Sequence, residues 1–308
     1  MIQKKIKPKL SIGIPVYNGE KFIKKCLDSL LLQTFSDFEI IISDDASTDL
    51  TFKICEEYKK QDKRILFFKQ KYNTRMVANF NFVLQQAKGE YFMWASADDV
   101  WHSEFVERNI MFLEKNPGFV GSTSEIEYFY EPWGEKNFER FKDTKSKKKY
   151  EEGEIIVQTP VAHSLVGSFE EKVKFLFDFG KFEYLHSIYR TEYLKKSMVK
   201  RNFLTWEMLV ILKMLKYGDL NVEDGVMMYK YMGGKTDPNF YKKLFSTTKN
   251  YWKYGILNSL FPFVPLTLYV LAVVGPKIFF KHLLKGFIKD NYRAQRLVFL
   301  EVFSREEK

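Results

Sequence analysis

Residues 11–49 read SIGIPVYNGEKFIKKCLDSLLLQTFSDFEIIISDDASTD, and the fold is decided there. Leu10–Pro15 is a short apolar run closed by the turn-forming Tyr17-Asn18-Gly19, which predicts a buried strand. From Glu20 to Gln33 the apolar residues fall at Phe22, Ile23, Cys26, Leu27, Leu30 and Leu31. That is the three-and-four spacing of one helix face. Phe38–Ser43 is a second buried strand running into Asp44-Asp45, and Ser47 is placed to cap a helix from about Thr48 to Lys60. The alternation continues with strand Ile65–Phe68, helix Val77–Ala87 ended near Gly89, and strand Tyr91–Ala95 ending in Ser96-Ala97-Asp98-Asp99. Strands alternating with helices predict a parallel, two-layered α/β sheet.

Outward from this core the pattern loosens. Val120–Tyr130 reads as a strand, Lys142–Lys149 as a solvated loop, and Glu171–Phe179 and Trp206–Tyr217 as helices. Asn221–Tyr231 reads as a strand pair or a strand and turn. The chain divides into a body, 1–240, with halves 1–120 and 121–240, and a tail, 241–308. No internal repeat of 20–50 residues is found.

Composition narrows the classes. With 45% hydrophobic and 29% charged residues, the 308-residue chain can bury a core and is too apolar to stay disordered. Two cysteines, Cys26 and Cys55, cannot form a disulfide framework or a four-thiolate zinc site. The four histidines show no metal-ligand spacing. The start, with Lys4–Lys9 followed by a run soon broken by Pro15, does not read as a secretory signal, so a reducing cytosolic setting is expected. The net charge of +10 is unevenly placed: residues 241–308 hold 12 basic and 4 acidic residues, whereas 1–240 hold 37 and 35. A nearly neutral body disfavours nucleic acid as its partner.

In an open parallel sheet, ligands bind beyond the carboxyl ends of the strands. This sequence puts acid pairs at two such ends, Asp44/Asp45 and Asp98/Asp99. Neighbouring carboxylates repel, so a pair needs a cation or donors beside it. Asp98-Asp99 suits Mg²⁺ or Mn²⁺, which take one or two carboxylates plus substrate phosphates. The plainer alternative is a turn or helix-capping role for each pair. No Walker lysine loop or glycine-rich dinucleotide turn follows the first strand. The pattern points to a nucleotide whose diphosphate is held through a metal.

Together with residues 73–101, NTRMVANFNFVLQQAKGEYFMWASADDVW, the opening stretch strongly resembles the family-2 glycosyltransferases of the GT-A fold. The likeness is close over residues 10–120 and looser over 180–235. It implies an α/β nucleotide-sugar-binding fold with a mostly parallel central sheet. It also implies inverting sugar transfer from a nucleotide-sugar, aided by a divalent cation. Residues 1–240 would be the catalytic domain, with 1–120 its nucleotide-binding half and 121–240 its acceptor half. Carried over, Pro15, Tyr17 and Asn18 line the nucleotide pocket, and Asp45 beside Asp44 accepts a hydrogen bond from the base. A pyrimidine imide N–H is the natural donor, which favours uridine. Ser96, Ala97 and Asp98 face the nucleotide; Asp98 matches the last acid of the family's Asp-x-Asp and binds the metal, with Asp99 in support. The first acid of that motif is replaced by Ser96. Arg75 lies where many members have glycine and some arginine, and there it can reach the diphosphate. Asn79 reads as structural, and Trp94 and Trp101 as core.

Inversion needs a base to take the acceptor's proton. The family places a carboxylate at a helix start about eleven residues before a glycine; Glu207 stands eleven before Gly218 and is assigned that role. The helix dipole would hold it ionised. Glu183, His186 and Trp206 are assigned to the acceptor side.

In the tail, Lys277, Lys281, Lys285 and Lys289 recur every fourth residue opposite Phe279, Phe280, Leu283, Leu284, Phe287 and Ile288. This reads as an in-plane helix on an anionic membrane surface. The uncharged run Tyr254–Pro276, broken by Pro262 and Pro265, reads as a re-entrant or interfacial hairpin, and residues 254–289 as the membrane-contacting segment. A helix pair packed on the body is the soluble alternative. The expectation is a metal-dependent inverting enzyme at the cytoplasmic face of the membrane, acting on a glycan or lipid-linked acceptor in surface polysaccharide synthesis. A sugar nucleotidyltransferase and a catalytically silent membrane scaffold are the rivals.

Overall fold

The computed structural model describes residues 7–129, 163–179, 183–200, 206–231 and 264–285. The lysine loop 142–149, residues 254–263 of the uncharged run, and Phe287, Ile288 and Lys289 lie outside them.

One eight-stranded sheet organises the chain, in the order β3-β2-β1-β4-β7-β6-β8-β5. Its first half is the predicted one: β1 (Leu10–Val16), β2 (Phe38–Asp44), β3 (Ile65–Lys69) and β4 (Tyr91–Trp94), all mutually parallel. The connecting helices are α1 (Ile23–Leu31), α2 (Thr51–Gln61) and α3 (Met76–Gln86). The second half departs from the expectation of a mostly parallel sheet. The three-residue β7 (Ile188–Arg190) runs antiparallel to both β4 and β6 (Phe119–Phe129). β8 (Asp219–Tyr231) then pairs parallel with β6, and the two-residue β5 (Val100–Trp101) antiparallel with β8. The sheet is therefore mixed. Asn221–Tyr231 is a single long strand rather than a strand pair, irregular in register against β6 around Ser124–Ile126 and with Gly225 at φ 94°.

The sheet has two buried faces, so the fold has three layers rather than two. The period-2 alternation of strand side chains assigns them. Leu10, Ile12, Ile14, Ile40, Ile42, Tyr91 and Met93 face one core, shared with α1, α2 and α4 (Phe105–Lys115). Ile41, Phe92 and Trp94 face the other, with α3, α5 (Phe169–Phe179), α6 (Thr191–Ser197) and α7 (Trp206–Met214). Strands buried on both faces explain why LSIGIP and FEIII are continuous apolar runs.

Two glycines of the family-like pattern have steric reasons. A Cβ on Gly89 would stand 2.6 Å from the Ser11 nitrogen and 2.7 Å from the Tyr91 oxygen; one on Gly218 would meet the Gly118 carbonyl at 2.3 Å. Both neighbours are backbone, which cannot swing aside.

Helix α7 is apolar around its whole circumference, with Met208, Leu209, Val210, Ile211, Leu212 and Met214 all buried. A helix of that kind needs cover on its outer side as well as from the sheet. The tail supplies it through α8 (Val264–Val274), followed by α9 (Pro276–Ile278) and one wide π-turn, Phe279–Leu283. Val270, Val274, Phe279 and Leu283 join the same core as α7, each worth about 1.5–3 kcal/mol of burial. Lys281 and His282 both reach Glu170 at 2.8 Å, hydrogen bonds that hold its carboxyl down at about 2. Phe279 and Leu283, expected to dip into lipid, are instead covered by protein. Large exposed apolar side chains among its described residues include Leu268, Tyr269 and Phe280. No helix among the described residues is long and apolar enough to cross a membrane.

Candidate functional site

Because β3, β2, β1 and β4 are adjacent and parallel, the four loops leaving their carboxyl ends lie side by side. These loops carry the candidate residues, and each is fastened to its neighbour by side chains.

The β1 and β2 loops are tied from both sides. The Asn18 N–H donates to Ser47 Oγ at 2.9 Å, and the Thr48 N–H donates to Asn18 Oδ1 at 2.9 Å. The Glu20 N–H donates to Asp49 Oδ2, and the Leu50 N–H to Glu20 Oε2. Asp49 also accepts from Thr51. These bonds outweigh its burial and hold its carboxyl below the usual range. Ser47 therefore does not cap the following helix, which begins at Thr51; its hydroxyl anchors Asn18 instead. Asn18, expected to line the nucleotide pocket, spends its side-chain oxygen on this tie, while Tyr17 beside it is half exposed and Pro15 partly buried.

Asp44 and Asp45 are fully buried and differ in role. Asp44 Oδ1 accepts from the Ser47 N–H at 3.0 Å. Asp45 fastens the β3 loop: Oδ1 accepts from the Thr74 N–H and hydroxyl, both at 2.7 Å, and Oδ2 from the Arg75 N–H at 3.0 Å. A carboxylate has about four lone-pair positions, so these three bonds leave Asp45 one, on Oδ2. Sequence reading gave this aspartate the base; its first task is to shape residues 73–75.

That shape is strained. Arg75 stands at φ 74°, ψ 165°, a region that glycine enters freely and other residues at a cost of about 1–3 kcal/mol. A glycine here would adopt this backbone without that cost. Asn18 at φ 51° and Ala46 at φ 61° complete the set of non-glycine residues with positive φ among the described residues. All three lie in successive strand-end loops. Asn79 is structural as expected, its amide donating to the Ser43 carbonyl at the end of β2.

The β4 loop, Ser96–Asp99, is held from three other elements. Cys26 Sγ on α1 lies 3.4 Å from the Ser96 carbonyl. Asp99, 1% exposed, accepts through Oδ1 from the N–H of Tyr231, the last residue of β8, at 3.1 Å. His186 approaches from the 3₁₀ turn Glu183–His186 before β7. Its Nδ1 is 3.1 Å from the Trp94 carbonyl, and its Nε2 is 3.4 Å from Ser96 Oγ and 3.8 Å from Asp99 Oδ2. Antiparallel pairing of β7 with β4, Tyr91 opposite Arg190 and Phe92 opposite Tyr189, carries the chain before β7 to the carboxyl end of β4. Sequence reading placed His186 on the acceptor side; it is 3% exposed and sits under the acid loop. β7 is too short to show a period, so the signal was absent. Asp98 and Ala97 are partly buried beside it.

Trp206 is also no open acceptor surface. It is buried, with its ring 5.2 Å from Phe80 and 6.2 Å from Trp94. That stack fixes the start of α7 near the end of β4 and so brings Glu207, in the first helical turn and partly buried, to this edge of the sheet. Glu183 opens the 3₁₀ turn, and its side chain lies outside the described residues.

Among the described residues no three acid, histidine or cysteine side chains form a closed cation cage. A hard cation that shares its shell with substrate phosphates needs only one or two protein carboxylates, which Asp98 and Asp99 would supply.

The chain belongs to Glycosyl transferase family 2, whose sequence pattern matches residues 11–169. An uncharacterized glycosyltransferase of Haemophilus influenzae is 36% identical over 124 residues, 40% of this chain and 38% of that protein. The chain thus spans well under two thirds of that relative's length. In fold it is similar to S. aureus TarS 1–349 in complex with UDP-GlcNAc, at a TM-score of 0.52 and 19% identity, over 89% of this chain and 73% of that one. It is similar too to the mannosyltransferase PcManGT of Pyrobaculum calidifontis in complex with GDP-Man and Mn²⁺, at a TM-score of 0.54 and 12% identity, over 89% and 68%. The α/β fold with a mixed sheet is that of GT-A glycosyltransferases.

Burial pushes the Cys26 thiol well up, with Asp99 and Asp98 adding to it; burial with Asp44 and Asp49 pushes Cys55 up to about 12. Both thiols are therefore neutral and shielded. A thiol reagent at pH 8 should titrate neither in the folded protein and both in guanidinium chloride; a thiol reacting rapidly in the native state would show that the β4 loop opens.

Proposed function

We propose that this protein transfers a sugar from a nucleoside-diphosphate donor, with inversion, to a glycan or lipid-linked hydroxyl in surface polysaccharide synthesis. The observation that carries the reading is the clustering of strain: Asn18, Ala46 and Arg75 hold positive φ in three adjacent strand-end loops. Strain retained against its cost collects where a backbone must meet a ligand. Arg75 at the β3 loop would face the diphosphate, and the half-exposed Tyr17 would face the base. The remaining Oδ2 lone pair of Asp45 is the acceptor for a base N–H. An imide donor makes uridine the favoured base, and the UDP-GlcNAc bound by S. aureus TarS supports a UDP-sugar.

Asp98 and Asp99 are the residues that would hold Mn²⁺ or Mg²⁺, in keeping with the Mn²⁺ in the mannosyltransferase complex. Such a cation offsets the charge that develops on the leaving diphosphate. Glu207 would take the acceptor proton, its carboxylate kept ionised by the first turn of α7. Asp98→Ala is expected to abolish transfer. Glu207→Gln should keep donor binding by calorimetry while turnover falls about 10²–10⁴-fold, the usual share of a general base. Near wild-type turnover in Glu207→Gln would reassign the base.

In this reading the enzyme works at the cytoplasmic membrane surface, and the tail's exposed side chains support it. Leu268, Tyr269 and Phe280 are exposed apolar groups in the same segment as exposed Lys277 and Lys285, a combination suited to anionic headgroups. Flotation with vesicles should show binding to phosphatidylglycerol-containing bilayers, little to pure phosphatidylcholine, and a clear loss in Phe280→Glu/Lys277→Glu. Equal binding to both vesicle types, or none, would remove the membrane assignment.

A further inference from the structure

The body is close to neutral as a whole, yet its charge is unevenly spread. Residues 191–218, which include α6, α7 and the turn that follows, hold six basic residues and two acidic ones. Residues 264–285 of the tail hold three basic residues and no acid. Lysines in the last turn of a helix have an ordinary reason, since they meet the negative end of its dipole. Lys195, Lys196 and Lys213 stand in such turns. Lys216 lies two residues past the end of α7.

Contacts join the two regions into one strip. Lys281 and His282 of the tail reach Glu170 at 2.8 Å. Its chain neighbour Phe169 has the Lys216 ammonium 5.7 Å from its ring centroid. Tyr217 stacks on Tyr193 with ring centroids 4.9 Å apart, and the Lys196 ammonium stands 5.4 Å over the Tyr193 ring. Lys196, Lys216, Tyr217 and Lys281 are all exposed. Glu170 offsets part of the charge, as does Glu192, 3.8 Å from Lys196. Burial, and then Lys216 alongside, lower the pKa of Lys213, so cations crowd one another here. A cationic strip carrying aromatic rings fits either an anionic bilayer or an anionic sugar polymer. The rings favour the bilayer. Phe169 and Tyr193 have lysines over them, and Tyr217 gives a face to Tyr193, so these faces are poorly placed to stack on sugars. Tyrosines and lysine ammoniums on apolar stems are the groups that settle at headgroup level.

We infer that the strip through Lys281, Phe169, Lys216, Tyr217, Tyr193 and Lys196 is a second part of the membrane-docking face, by which the catalytic body itself binds anionic headgroups alongside the tail. The inference rests on the reading that the tail meets such a membrane. The strip lies at the end of the sheet opposite the acid loop. Tyr217 and Gly218 lead into β8, and Tyr231 at the far end of that 13-residue strand holds Asp99, about 40 Å away at the usual rise per residue. A bilayer bound at the strip leaves the nucleotide loops clear.

The test is partitioning of the full chain onto phosphatidylglycerol-containing vesicles. Each lysine near an anionic leaflet is worth about a fivefold gain, so Lys196→Gln/Lys216→Gln should bind about 25-fold more weakly. Lys53→Gln/Lys59→Gln on α2 removes the same charge from the other side of the sheet and should bind like the wild type. UDP affinity should be unchanged in both variants. Full binding by Lys196→Gln/Lys216→Gln, with loss only in Phe280→Glu/Lys277→Glu, would overturn the strip and leave the tail reading standing. An equal loss in the α2 variant would overturn it too, by tracing binding to net charge. Displacement of the wild type from vesicles by long-chain polyphosphate at equal phosphate concentration would assign the strip to an anionic polymer instead. No vesicle binding by the wild type would overturn both readings. Hydrogen exchange on the vesicle-bound wild type needs no variant: added protection should cover 193–197 and 214–217 as well as the tail, and protection limited to 264–285 would contradict the inference.

Discussion

The carboxylates at the ends of β1, β2 and β4 act first on the protein's own backbone. Loops that leave a parallel sheet carry N–H groups with no strand partner, and a buried N–H without an acceptor is costly. Here the acceptors come from the neighbouring loop: Asp45 for Thr74 and Arg75, Asn18 for Thr48, Asp49 for Glu20, Glu20 for Leu50. The loops thus hold one another in conformations that none would keep alone. Arg75 at φ 74° is the clearest case, since its N–H is bound by Asp45 and by Asn73. A rigid, partly strained edge is what a nucleotide site requires, because it avoids ordering the loops at each binding event.

The second half of the sheet supplies groups to the same edge by reversing direction. β7 runs against β4 and delivers His186; β8 runs with β6 and ends at Tyr231, whose N–H holds Asp99. The stack of Trp206, Phe80 and Trp94 brings in Glu207 from the helix layer. Each of the three routes ends within one turn or one residue of a regular element, so the side chains inherit the element's precision.

Sequence reading located β1 to β4 and their helices to within a few residues, because strands buried on both faces and helices with one apolar stripe have distinct periods. It found the acid pairs for the same reason: they follow the strands directly. It did not see β5 or β7, since elements of two or three residues have no period and their pairing is long-range, as in Val100 opposite Tyr229. It also passed over α6, a helix of two turns, and α4, although Phe105, Val106, Ile110 and Leu113 line one buried face of α4. The role of Asp45 was half legible. That an aspartate at that point meets a ligand follows from the fold, whereas its bonds to Thr74 and Arg75 depend on a loop 29 and 30 residues away. The tail was read as lysines opposite an apolar arc that would meet lipid, with a helix pair packed on the body as the alternative. Part of its apolar surface, Val270, Val274, Phe279 and Leu283, is buried in the core that α7 shares.

The central claim is that four adjacent loops form one preorganised nucleotide cradle. Hydrogen-exchange mass spectrometry with and without UDP and Mn²⁺ addresses it directly. Added protection should be confined to residues 15–20, 44–49, 70–76 and 95–99, and should be modest because these loops are already tied. Protection centred on other segments, or none with nucleotide at saturation, would contradict the account.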